Sequence, residues 1–161
     1  VNPEVEIERL VGGGFGLAHH DGETWMVAGA LPGERAAVEP AGRRAGVVHA
    51  TVAEVRSAAH GARDPHPCPH ASRCGGCDWP HVLPSAGAHL KAAVAAGAAR
   101  GHPAVAARLA AAAVQGSPLA YRLRARLHWE PSTRTLGFYR RRTWQVTSIA
   151  HCRILSPRLM A

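Results

Sequence analysis

The sequence predicts an α+β chain in two parts, a small closed β-barrel followed by a small metal-bearing α/β segment, and three observations carry that expectation. From Val5 to about Arg56 the chain breaks into roughly five short alternating strands separated by turn residues. Residues 85–115 are largely alanine, the strongest intrinsic helix former. Cys68, Cys74 and Cys77 crowd together as C-x5-C-x2-C, while the remaining cysteine, Cys152, lies far downstream.

In order, VEIERLV alternates, with Val5, Ile7 and Arg9 on one face and Glu6 and Glu8 on the other. Gly12, Gly13, Gly14 and Gly16 follow. A phosphate-cradling loop is a poor reading of them, because neither the Lys-Ser/Thr of a P-loop nor the helix of a dinucleotide site comes next. They read instead as sites of strand bending and close backbone approach. Asp21-Gly22 is a strong hairpin signal, and TWMVAGAL is the returning strand. Leu31–Glu34, LPGE, has Pro and Gly where a turn wants them. RAAVEPA and AGVVHATVAEV supply two more strands, with AGRRAG between them. This many short strands in so short a stretch suits a barrel of the OB type over residues 1–58.

Residues 60–69, rich in Pro, His and charge, read as a linker into the cysteine loop. Four thiolates with none left over suit a tetrahedral or a cubane metal centre. Three neighbouring cysteines and one remote favour an iron–sulfur cluster, with zinc as the alternative and disulfides behind both. His66, His70, His81 and His151 stand near enough in sequence to replace a ligand, although four thiols make that unnecessary. Gly75 and Gly76 let the backbone turn tightly between Cys74 and Cys77.

The alanine-rich helix breaks at Gly101-His102-Pro103, with Pro103 in the first turn of a second helix. Leu90, Val94, Val105 and Leu109 are its expected packing residues. YRLRARLHW then alternates Tyr121, Leu123, Ala125, Leu127 and Trp129 against Arg122, Arg124, Arg126 and His128. A turn at Pro131–Arg134 leads into TLGFYRRR and TWQVTSIAHC, an antiparallel meander that carries Cys152 back toward the other three cysteines. Trp25, Trp129 and Trp144 read as core, and Ser156-Pro157 as the cap and first turn of a further helix.

Formal net charge is +8, and Lys91 is the only lysine. Such a balance implies a polyanionic partner, and arginine's planar fork suits phosphates and bases. A coding bias toward GC-rich DNA is the competing explanation of the arginine excess. Arg122, Arg124 and Arg126, with the run Arg140, Arg141 and Arg142, are candidate phosphate contacts. Phe138 and Tyr139 are candidate stacking partners for unpaired bases. No secretory signal and no membrane-spanning run is present, so a cytoplasmic monomer is expected. Without an initiating methionine, and with a helix starting at the last residues, both ends read as cut.

Two resemblances extend this reading. Gly14, Gly16, Gly29, Leu31, Pro32, Gly33 and Glu34, in their setting of strands, resemble a TRAM domain, an OB-like RNA-binding barrel. Adding C-x5-C-G-G-C, YR-x-R-A-R, LGFYRR and H-C-x-I-L-x-P, the chain as a whole resembles the S-adenosylmethionine-dependent RNA uracil-5-methyltransferases of the 23S ribosomal RNA type. The resemblance implies a 4Fe-4S cluster on Cys68, Cys74, Cys77 and Cys152, and places Arg122 near the target uridine. It implies ribosomal RNA as substrate, with tRNA the other candidate.

It also divides the chain into residues 1–58, the barrel, and 59–161, an incomplete central domain. The catalytic thiolate, the carboxylate base and the Gly-rich S-adenosylmethionine loop belong to a methyltransferase domain that this stretch does not include. Pro80 departs from the family, which commonly has Gln after CGGC. A standalone, non-catalytic RNA-binding module with a structural metal is the alternative. A radical enzyme would carry C-x3-C-x2-C instead.

Overall fold

A computed structural model describes residues 2–57, 60–116 and 118–160. Strands β1 (Glu4–Glu6), β2 (Arg9–Val11), β3 (Phe15–His20), β4 (Glu23–Ala28), β5 (Arg35–Arg44) and β6 (Val47–Val55) form one sheet in the order β1-β5-β6-β4-β3-β2. All neighbours run antiparallel except β4 and β6, which are parallel.

β1 and β2 are two ends of the single run VEIERLV, bent at Ile7-Glu8. There the Ile7 N–H donates to the Glu34 carbonyl at 2.9 Å and the Glu8 N–H to the Leu17 carbonyl at 2.8 Å. β1 pairs with β5 at one edge of the sheet and β2 with β3 at the other. One stretch of chain therefore holds both edges, and the sheet curls into an OB-like shape. The expected five runs are all present; the first is interrupted and counts as two strands.

The bend also shifts the alternation. Val5 and Ile7 enter the main core with Trp25, Val27, Val38 and Val48. Beyond the bend Leu10, not Arg9, turns inward, to a second cluster with Leu31, Ala62, Val82 and Leu90. Asp21-Gly22 (φ 50° and 75°) and Ala45-Gly46 (φ 49° and 77°) are both two-residue hairpins with positive φ at each position. The second lies within AGRRAG, so β5 continues through Arg44 where a longer connection was expected.

The linker reading of residues 60–69 needs correction. Ala62 and Asp64 are buried, and Arg63 pairs with Val82. The Asp64 N–H donates to the His81 carbonyl at 2.8 Å, and the Leu83 N–H to the Ala62 carbonyl at 2.9 Å. Such bonds satisfy backbone groups that a packed strap cannot leave to water. The strap leads into α1 (Pro84–Ala98), which packs through Leu90 and, partly, Val94. Helix α2 (Pro103–Ala110) does start on its proline, but it buries no residue and leaves Val105 half exposed. Alanine-rich helices offer little apolar area, and α2 is too short to reach a second partner.

Strands β7 (His128–Glu130), β8 (Thr135–Tyr139) and β9 (Val146–Ser148) form the expected antiparallel meander. The strand expected from Tyr121 to Trp129 survives only at its end; before His128 it keeps a single bridge, Arg122 with Leu155. Its proposed apolar face is not buried: Leu123 is 72 % exposed and Trp129 57 %. Trp144 is 83 % exposed, so of the three tryptophans read as core only Trp25 is one. Alternation reports the pleat of a strand, not whether another layer covers it. The terminal segment forms a 3-10 turn, Pro157–Leu159. Among the described residues no helix is long and apolar enough to cross a membrane.

Candidate metal centre

The loop between the first two cysteines is wound by its own backbone. The Ala71 N–H donates to the Cys68 carbonyl at 2.9 Å, and the Arg73 and Cys74 N–H groups share the His70 carbonyl at 3.0 and 2.8 Å. Cys74 then bridges to Arg140, and the Gly75 N–H donates to the Tyr139 carbonyl at 2.9 Å, so the loop lies across the end of β8. Neither glycine of CGGC has positive φ. Gly75 is required for another reason: a Cβ there would stand 2.9 Å from the Tyr139 carbonyl oxygen and 3.0 Å from the Arg141 nitrogen. Close approach, not turning freedom, selects glycine here. At Gly76 the bare backbone faces the Cys74 sulfur and its N–H donates to that Sγ at 3.3 Å.

Cys152 is brought in by its neighbours. The Ala120 N–H donates to the Arg153 carbonyl and the Arg122 N–H to the Ile154 carbonyl, both at 2.8 Å. The Arg153 guanidinium donates to Asp64 Oδ2 at 2.6 Å and to the His66 carbonyl at 2.9 Å. Arg153, followed by the His66 N–H, holds the Asp64 carboxyl below its usual range. The remote cysteine is thereby clamped to the strap that enters the cysteine loop.

All four thiols line one cavity of about 90 Å³ and all are free of disulfides. Its walls are largely apolar, with Trp79, Val82, Phe138, Ile149 and Ile154 among them. Burial, then the neighbouring thiols Cys152 and Cys74, pushes Cys77 up to about 11. Burial raises Cys74 as well. Positive charge entering among the thiols opposes this rise at Cys74 and Cys77, and metal binding supplies that charge while releasing protons. Among the described residues no three His, Cys, Asp or Glu gather closely enough to hold a metal ion. Four cysteine thiols around one largely apolar cavity are a donor set that suits a zinc ion or an iron–sulfur cluster.

Further contacts fasten this centre to the barrel and to the β8–β9 turn. Arg63 donates through Nε and Nη2 to the two Glu34 carboxylate oxygens at 2.7 and 2.6 Å, and through Nη2 to the Gly29 carbonyl at 2.9 Å. Arg141 donates to Asp78 Oδ1 at 3.0 Å and also to the Cys77 carbonyl. The Arg142 guanidinium lies 5.0 Å from the centre of the Phe15 ring, with Nη2 3.2 Å from His49 Nδ1. Gly14 (φ 77°) sits against the loop so closely that a Cβ would be 2.7 Å from Asp78 Cβ. His81, buried beside Arg63, is pushed down to about 4 by burial and then by that charge.

The candidate RNA contacts are dispersed. Arg122 lines a groove of about 570 Å³ together with Gly13, Cys77, Lys91 and Tyr121. Arg124, Arg126 and Arg140 are exposed, and Arg140 Nε donates to Thr147 Oγ1 at 3.2 Å. Arg141 is engaged with Asp78, Phe138 is drawn into the cavity wall, and Tyr139 stacks on His128 with ring centres 3.8 Å apart. Sequence reasoning missed the pairs Arg63–Glu34 and Arg153–Asp64. Their members lie 29 and 89 residues apart, and no local pattern links them.

No family model matches the chain. Curated relatives do. A 23S rRNA (uracil(1939)-C(5))-methyltransferase RlmD of Alkalilimnicola ehrlichii is 36 % identical over 160 residues, covering 97 % of this chain and 36 % of the relative. Proteins of the same name from Pseudomonas putida and Photorhabdus laumondii are 35 % and 33 % identical, over 94 % and 96 % of this chain. The chain thus spans about a third of the length of the relatives it matches. Over nearly its whole sequence, this chain is homologous to part of the 23S rRNA uracil-C5-methyltransferases.

Proposed function

We propose that the chain is the RNA-binding and 4Fe-4S-binding N-terminal region of an RNA uracil-C5-methyltransferase that acts on ribosomal RNA. The observation that carries this reading is the meeting of Cys68, Cys74, Cys77 and Cys152 at one cavity, in a chain homologous to those enzymes. The four thiols would hold the cluster, leaving no iron open to a substrate. When bound, such a group supplies a tie across the fold, not a reacting atom.

This chain's own residues do the positioning. Gly75 lets the loop lie on β8, Arg153 fixes the Cys152 segment, Arg63 and Arg142 hold the centre to the barrel, and Arg141 ties the cysteine loop to the β8–β9 turn. Arg122, Arg124, Arg126, Arg140 and Arg141, with Phe138 and Tyr139, form the proposed RNA-binding set. Arg122 borders the groove beside Cys77, where its charge acts on that thiol. None of the four cysteines is free to attack uracil, so methyl transfer from S-adenosylmethionine falls to other residues of the enzyme.

Anaerobic purification tests the reading directly. The protein is expected to be brown and to contain iron and acid-labile sulfide in equal amounts. Colourless protein with stoichiometric zinc would defeat it.

A further inference from the structure

We propose that His70 is a hydrogen-bond donor to the sulfur of the group held by the four cysteines, a positioning and tuning residue, not a ligand. The inference rests on the cluster reading above. Both ring nitrogens of His70 are shielded from solvent, and neither has a hydrogen-bond partner. Its side chain lines the cavity on which the four thiols meet. A buried imidazole always carries at least one N–H, and a donor left unmade in an apolar wall demands an explanation.

The backbone holds His70 in that place, because its carbonyl accepts from both Arg73 and Cys74 at the centre of the wound loop. Trp79 also lines the cavity and has an unpartnered Nε1, but that nitrogen stands 2.9 Å from where a Cβ on Gly14 would be, on the barrel side. His81 has an unpartnered Nε2 but does not line this cavity. Arg153 also lines the cavity, but its Nη1 is engaged by Asp64 and the His66 carbonyl, so His70 is left as the unpartnered buried ring donor beside whatever fills the space. Four thiols already complete a cluster's ligand set, so the remaining role for the ring is an N–H···S bond to a sulfide or a cysteine sulfur. Hydrogen bonds to sulfur stabilise the more negative, reduced state and raise the reduction potential.

The test compares the anaerobically purified, iron-loaded protein with His70→Phe, which keeps a planar ring and loses the donor, and His70→Gln, which keeps an N–H. Loss of the donor is expected to lower the midpoint potential by the equivalent of a tenfold change in the reduction equilibrium, about 59 mV for a one-electron couple. It should also move the Fe–S stretching bands to higher frequency, while His70→Gln stays close to wild type. A Phe variant that loads poorly beside a Gln variant that loads normally also supports a donor. Equal iron, equal potential and unmoved bands in His70→Phe would overturn the inference and leave the cluster reading intact. Failure of both variants to load iron would overturn it in favour of a ligand or a purely structural role. Wild-type protein without iron would overturn both together.

Discussion

Glu34 is 1 % exposed, and its carboxylate survives there because every partner it needs is within reach. Burial opposes the charge, but the Arg63 fork and the Leu31 N–H at 2.8 Å outweigh it and hold the carboxyl below its usual range. A folded-state value depressed below the unfolded one contributes stability above the unfolded value. That stability is lost as pH falls through the folded one. Arg63→Met removes the fork and leaves a buried charge behind, with an expected cost of about 3 kcal/mol near neutral pH. In that variant burial is opposed only by backbone N–H donors such as Leu31, so the carboxyl value rises and the gain in stability with rising pH is expected to shrink. Urea midpoints measured at several pH values check both parts. A variant with the wild-type slope would show that Glu34 does not depend on Arg63.

At the scale of the element, two glycines contrast close backbone approach with open space. Gly75→Ala drives a Cβ into the backbone of Tyr139 and Arg141, and is expected to cost about 1–3 kcal/mol and to weaken metal loading. Gly12→Ala, with open space around it and no positive φ, is expected to be neutral or slightly stabilising. Denaturation and iron content of the two variants decide it; equal effects would dissociate the loop from β8. Cys152→Ser should loosen the β7–β9 sheet in the metal-loaded protein, because it removes the covalent link between its far end and the cysteine loop. Faster amide exchange in β9 than in β4 is the expected signature, and uniform exchange would sink it.

These elements also show how far local pattern reaches. The hairpin at Asp21-Gly22, the proline start of α2 and the β7–β9 meander were all legible, since each depends on residues close in sequence. The bend at Ile7-Glu8 was not, because it exists to let one run pair with two distant strands. Nor was the exposure of Leu123, Trp129 and Trp144, because coverage depends on what packs against a face.

For the whole molecule, the net charge of +8 sets a long-range attraction for polyanions, which the dispersed arginines must convert into contacts. Arg124 and Arg126 are exposed, and Arg122 borders the groove beside Cys77. Replacing Arg122, Arg124 and Arg126 together by Gln is expected to weaken binding to single-stranded RNA. The slope of log affinity against log salt should become shallower by about 2, at roughly 0.7 per phosphate contact. An unchanged slope measured by titration at several salt concentrations would remove these residues from the proposed RNA-binding set.

The sequence alone determined the order of barrel, cysteine loop, helices and meander, and the set of four thiols, because period, turn chemistry and cysteine spacing are written in neighbouring residues. Only the tertiary structure decided that Cys152 stands at the cavity of the other three, that Glu34 and Asp64 are the anchors of Arg63 and Arg153, and that His70 lines that same cavity. Those partnerships join residues separated by long stretches of chain. Their strength comes from burial, and burial exists only after the chain has folded back on itself.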